Sequence, residues 1–220
     1  MKGFILKTLI AVSIMVCVCL AASKPVTGGA PEPAIVPHPG DWTVNATFTH
    51  PQQIILRNAP GAPAQRYWYV ILTVINKTGR DADFFPRCDL MTDTFHISPA
   101  GRGVSPAVFD RIKEQHLTDF PFIEPLEKVS SKLLQGEDNA KDLAIIWPDF
   151  DPNAKKVKIF ITGLSNESAA VKHPILMGDN GLPKLVFLRK TLELSYNIKG
   201  DPATRATADL TYAGKRWIMR

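Results

Sequence analysis

The chain has 220 residues, with 26 Lys plus Arg against 21 Asp plus Glu, five histidines, three cysteines and a net charge of +5. That charge is mild and scattered: the pairs Lys155-Lys156, Arg189-Lys190 and Lys215-Arg216 stand far apart, which argues against nucleic acid as a partner. The length is enough to bury a core without covalent staples.

Met1–Ser23 reads as an export signal. Lys2 and Lys7 supply the basic start, Thr8–Ala22 is a 15-residue stretch without charge, and Cys19-Leu20-Ala21 or Ala21-Ala22-Ser23 offers small-x-small cleavage geometry. The stretch is short for a membrane span, which needs about 20 apolar residues. Val16 and Val18 precede Cys17 and Cys19 where lipoprotein processing wants a small residue, so export without lipidation is expected. Removing Lys2 and Lys7 leaves 24 basic against 21 acidic residues, and Cys88 as the one remaining cysteine. A mature chain with one thiol forms no internal disulfide, and Cys88 is expected as a buried, small apolar residue. Residues 24–40 hold five prolines and three glycines, a composition that favours extended chain over a packed core, and read as a tether.

From Asp41 the pattern is β. Trp42, Val44, Ala46 and Phe48 alternate with Thr43, Asn45, Thr47 and Thr49. Gln53–Arg57 reads as a second strand. Arg66–Ile75 carries Trp68, Val70, Leu72 and Val74 on one parity and Tyr67, Tyr69, Ile71, Thr73 and Ile75 on the other, with Thr73 the one polar member, as expected of a central strand covered on both sides. Asn76 and Gly79 then turn the chain. Asp83–Thr92 is expected to be extended with Pro86 at an edge or bend, and Thr94–Ser98 to be its short hairpin partner. Ser105-Pro106 followed by Val108, Phe109, Ile112 and Leu117 predicts an inserted helix over 105–117, closed by His116. Leu134–Glu137 reads as a turn before a strand at Asp142–Trp147, Pro148–Ala154 as another turn, and Val157, Ile159 and Ile161 as the apolar face of the next strand. Ser165–Pro183 reads as loop. Val186, Leu188, Leu192, Leu194, Tyr196 and Ile198 share one parity of a closing hairpin that turns at Gly200-Asp201-Pro202 and returns through Ala208–Tyr212 and Arg216–Met219. About eight strands with frequent turns and one helix predict an all-β antiparallel sandwich spanning residues 41–220.

The piece VILTVINKTGRDADF, with Gly136-Glu137 before Asp142–Trp147, resembles the strand-Asn-x-x-Gly turn of bacterial secreted immunoglobulin-like domains of the adhesion-related kind. The likeness covers Trp42–Gly163, and the chain departs from it at the helix near Pro106–Leu117 and at the hairpin after Pro183. It implies an immunoglobulin-like sandwich and carries no catalytic residues with it.

Candidate chemistry is sparse. Asp149, Asp151 and Asn153 have the i, i+2, i+4 spacing of a calcium loop, but Ala154 and Phe160 stand where its Gly and bidentate acid belong, so a plain turn is expected. His38, His50, His96, His116 and His173 form no metal-binding spacing, and no nucleophile motif or phosphate loop occurs. Tyr67-Trp68-Tyr69 offers a stacking platform for sugars only if one face is open. Asn45, Asn76 and Asn166 head glycosylation sequons. No catalytic, cofactor or metal residue is assigned. The sequence predicts a non-enzymatic, secreted or periplasmic module that binds an envelope or extracellular protein, with a carbohydrate or small ligand as the alternative. The helix and Ser165–Pro183 are the expected contact surfaces, and no membrane span is expected once the signal is removed.

Overall fold

A computed structural model describes residues 30–57, 61–200 and 209–220. The export-signal reading, the first residues of the tether and most of the turn after Gly200 lie outside them. The described residues form thirteen strands and one α-helix. They build an all-β fold of two antiparallel layers with a small two-stranded accessory.

The first sheet is organised on β3 (Ala64–Asn76). One edge of β3 takes β1 (Asn45–Phe48) and β2 (Gln52–Arg57) end to end, and the other pairs with β9 (Gly136–Pro148), which carries β7 (Glu124–Pro125) in parallel. In the second sheet β5 (Arg87–Thr92) lies between β6 (Ile97–Pro99) and β10 (Lys156–Thr162). Beyond β10 come β12 (Pro183–Ile198) and β13 (Leu210–Met219), and β11 (Ser168–Met177) pairs with the first half of β12. β4 (Ala82–Asp83) and β8 (Lys132–Leu133) make the accessory pair.

Trp68, Val70, Leu72 and Val74 of β3 face Cys88, Leu90, Val157, Ile159, Ile161, Leu192 and Leu194 of the opposite sheet, and all are buried. The other parity, Tyr67, Tyr69 and Ile71, is covered by α1 (Pro106–Gln115) through Val108 and Ile112. This accounts for a strand that is apolar on both sides: one face meets a sheet and the other a helix. Each such buried side chain is worth about 1.5–3 kcal/mol. Val44 N–H donates to Leu164 O at 2.9 Å and Thr43 bridges Ser165, so the segment entering β1 ties the two layers together.

The structure departs from the sequence reading in three places. Gly136, expected in a turn, begins β9 with φ +112°, so this strand starts six residues before Asp142. Leu117 lies beyond the helix and is exposed, so the helix buries Val108 and Ile112 instead of a longer stripe. Ser165–Pro183, expected as loop, contains the ten-residue strand β11. Pro86 separates β4 from β5, as its missing N–H requires.

Candidate functional site

The last of these departures creates the feature that stands out on the surface. β10 ends at Thr162, and Gly163–Glu167 crosses an irregular step before β11 resumes pairing with β12, Ser168 opposite Arg189 and Val171 opposite Val186. Past Arg189 toward the turn, β12 has only β11 beside it among the described residues, so residues 168–189 form a two-stranded arm off the end of the sandwich. At about 3.3 Å per residue the ten residues of β11 reach roughly 30 Å. The turn is fixed by Gly178 N–H to Leu182 O at 2.8 Å and by Asn180 Oδ1, which accepts from Leu182 N–H at 3.1 Å.

The root of the arm is anchored by charge. Glu167 is buried, accepts from Lys190 Nζ at 2.7 Å and from Ala34 N–H at 2.6 Å, and so joins the tether to the arm. Burial pushes its carboxyl up, but the hydrogen bonds from Lys190 and Ala34 and the positive charge nearby outweigh that and hold it below its ordinary value. Glu193, buried farther along β12, behaves alike: burial raises it, and Arg216 at 3.2 Å and Lys158 at 3.0 Å bring it below its ordinary value.

Away from its root the arm is apolar and open. Ile175 is 80% exposed and Phe187 69%, and Leu176, Met177, Leu182 and Leu185 are exposed with them. A concavity of about 660 Å³ lies among Leu182, Pro183, Leu185, Lys172 and Lys184. Together these side chains leave several hundred Å² of apolar surface in water, in the range that marks an interaction site.

The arm's two backbone edges differ. On β11, Pro174 has no N–H, and His173 Nδ1 accepts from Ile175 N–H at 3.1 Å and Leu176 N–H at 2.8 Å, so that edge is broken by a bulge. On β12, Lys190 N–H points to Glu167 on the β11 side, whereas Arg189 exchanges hydrogen bonds with Arg220 on the β13 side. Strand alternation then turns the N–H and C=O of Leu185 and Phe187 to the β13 side, where no strand among the described residues reaches them. The result is an unpaired, apolar edge flanked by Lys172, Lys184 and Arg189.

The other residues singled out from the sequence resolve differently. Tyr67, Trp68 and Tyr69 are all buried, so they form no sugar platform. Tyr69 Oη lies 2.8 Å from Gln52 Oε1 and 2.9 Å from His116 Nε2, and burial raises its phenol above the usual value. His116 caps the helix and serves this contact. Asp149 accepts from Trp68 Nε1 at 2.8 Å and Arg66 Nη1 at 3.2 Å, and Asp151 accepts from Asn153 N–H at 2.9 Å, so these oxygens hold a turn together. Cys88 is buried in the core, and burial pushes its thiol well up. Asn45 is exposed, whereas Asn76 is buried and Asn166 is spent on Trp42 N–H and Gly40 O. Among the described residues no group of three or more His, Cys, Asp or Glu side chains is placed to hold a metal ion, and no helix is long and apolar enough to cross a membrane.

Reading the sequence alone places Val186 and Leu188 on one parity of a hairpin and misses Leu185 and Phe187. The signal is present: Leu185–Leu188 is apolar on both parities, yet nothing among the described residues covers the second one. No family model, curated protein or solved structure matches the chain.

Proposed function

We propose that this is an exported, non-catalytic interaction module with an immunoglobulin-like sandwich, and that its arm captures an extended segment of an envelope or extracellular protein. The observation that carries the reading is the open β12 edge at Leu185 and Phe187, set in exposed apolar surface. An added strand from a partner satisfies the free backbone groups and covers both side chains, the strand-addition mode of recognition. Lys172 and Lys184 favour a segment with acidic residues beside its apolar ones. A membrane is a poorer fit, because the arm ends in Gly178–Gly181. End-on insertion drives Asp179 deepest into hydrocarbon, at a cost of about 2.5–3.5 kcal/mol.

Export is supported by Met1–Ser23 and the tether. The immunoglobulin-like part is supported by connectivity: β1, β3 and β9 share one sheet and β5, β10 and β12 the other, in the manner of strands A, B, E and C, F, G. It is an analogy of fold and assigns no partner by itself. The alternative of a carbohydrate platform on Tyr67 and Tyr69 loses its main support with their burial.

The test is affinity recovery from the native envelope fraction with wild type and the Leu185→Glu/Phe187→Glu variant side by side. The expected result is a stoichiometric protein that the wild type recovers and the variant loses while both remain folded. Equal recovery by both, or none by either, overturns the proposal.

A further inference from the structure

A second, separate site lies at the root of the arm. A cleft of about 570 Å³, within the range of small-ligand sites, is walled by Trp42, Phe85, Gly163, Ser168 and Arg189. Its construction is specific. Phe84 is buried in the core while its neighbour Phe85 stands 65% exposed. The backbone that holds them in opposite directions fits only against glycine: a Cβ on Gly163 meets Phe85 O at 2.7 Å and Pro86 Cα at 2.8 Å, and its φ is +90°. Gly163 therefore lets the Phe85–Pro86 bend lie directly on the step between β10 and β11, which leaves Phe85 lining the cleft with most of its surface open.

The polar side chains around it divide into spent and unspent. Asn166 is used on Trp42 N–H and Gly40 O, and Ser165 Oγ donates to Trp42 O at 2.7 Å, which fixes the Trp42 wall. Asp83 pairs with Lys132 at 2.8 Å, Asp81 accepts from Gln135 N–H at 2.9 Å, and Arg80 donates to Gly40 O at 2.7 Å. The Ser168 hydroxyl and the Arg189 guanidinium have no partner among the described residues. They sit opposite each other in the β11–β12 register, hence on one face, and both line the cleft. Both residues are exposed, so one planar guanidinium fork and one hydroxyl donor are open to solvent on the same cleft as an exposed aromatic ring.

We propose that this cleft binds a carboxylate-bearing ligand, its carboxylate held by Arg189 and Ser168 and its apolar or ring face laid on Phe85. A guanidinium presents two parallel N–H groups to a planar carboxylate, which sets both direction and register. A phosphate site would call for a nest of backbone N–H groups or several converging cations, whereas of the two arginines that line the cleft Arg80 already donates to Gly40 O. Two sources offer this chemistry, a uronic acid of a saccharide and the terminal carboxylate of a peptide. Binding in this cleft is independent of a partner on the open β12 edge.

Heteronuclear NMR titration of the folded chain tests it with galacturonate and N-acetylphenylalanine, each beside its neutral counterpart, galactose and N-acetylphenylalaninamide, and with inorganic phosphate. At least one acid is expected to shift Ser168, Arg189 and Phe85 resonances saturably, with its neutral counterpart and phosphate at least about tenfold weaker. Which acid binds identifies the source. Arg189→Gln is expected to weaken that acid by at least about tenfold, and Phe85→Ala to weaken it several-fold, with unchanged spectra elsewhere. No saturable binding of either acid up to about 10 mM, equal binding of the neutral compounds or of phosphate, or undiminished binding to Arg189→Gln overturns the proposal.

Discussion

Replacing Asn76 with alanine tests how the turn after β3 is held. The side chain is fully buried and makes four hydrogen bonds. Nδ2 donates to Arg80 O and Leu133 O, both at 2.8 Å, and Oδ1 accepts from Thr78 N–H at 3.0 Å and Thr78 Oγ1 at 2.8 Å. Alanine removes all four. Thr78 and Arg80 lie near solvent and recover water, whereas Leu133 O faces the interior and loses a bond that water does not replace. Counting about 0.5 kcal/mol for each of the three bonds that water restores in part, and about 1–3 kcal/mol for the bond lost at Leu133 O, the loss is about 2.5–4.5 kcal/mol. For a domain of this size that corresponds to a fall of about 5–18 °C in Tm. Urea unfolding followed by tryptophan fluorescence reads the change as a lower midpoint at constant slope. A loss below about 1 kcal/mol refutes the reasoning. Asn76→Asp sharpens it, because the carboxylate keeps the acceptor for Thr78 and aims a second oxygen at two carbonyls. Burial raises the carboxyl of this variant, so its folded form takes up a proton that the unfolded chain releases above about pH 4. Its deficit against wild type therefore narrows as pH falls toward that value and widens as pH rises.

Further outcomes follow from the same contacts. Gly163→Ala sets a Cβ against Phe85 O and Pro86 Cα at a positive φ, and is expected to cost about 2–4 kcal/mol in urea unfolding; a neutral result removes the argument for a forced close approach. Glu167 and Glu193 are held below their ordinary values, so their contribution to stability is complete above about pH 4.5 and is lost as pH falls through their depressed folded values. Glu167→Gln/Glu193→Gln should flatten that acid limb, and an unchanged limb contradicts it. Cys88 should resist alkylation at neutral pH in the folded protein and react fully in denaturant, measured by intact mass; fast labelling of the folded form counts against its place in the core.

Much of the fold was legible because local pattern and tertiary role agree. β3 shows apolar residues on both parities, and both faces are indeed covered. Ser105-Pro106 marks a helix start, and the helix begins at Pro106. β11 was illegible for a physical reason. Ser168–Met177 holds His173, Pro174 and small alanines, and lacks a β pattern of its own. It is extended because β12 supplies a partner in register through Lys172, and it bulges where Pro174 cannot donate. The Phe85 cleft was hidden for a similar reason, since it depends on Gly163 meeting a bend about 78 residues earlier in the chain. The apolar run at Leu185–Leu188 was readable, but whether its second face is buried is decided by which strands the fold places beside it.

The most direct test of the central claim is site-specific photocrosslinking in the native envelope. A photoreactive phenylalanine analogue replaces Phe187 in one sample and exposed Phe95, on the turn before β6, in another. The account predicts a discrete protein adduct from position 187 that is absent from position 95, with crosslinks mapping to an extended segment bearing acidic residues. No protein adduct at 187, or the same adducts at both positions, contradicts the assignment of the arm as the binding surface.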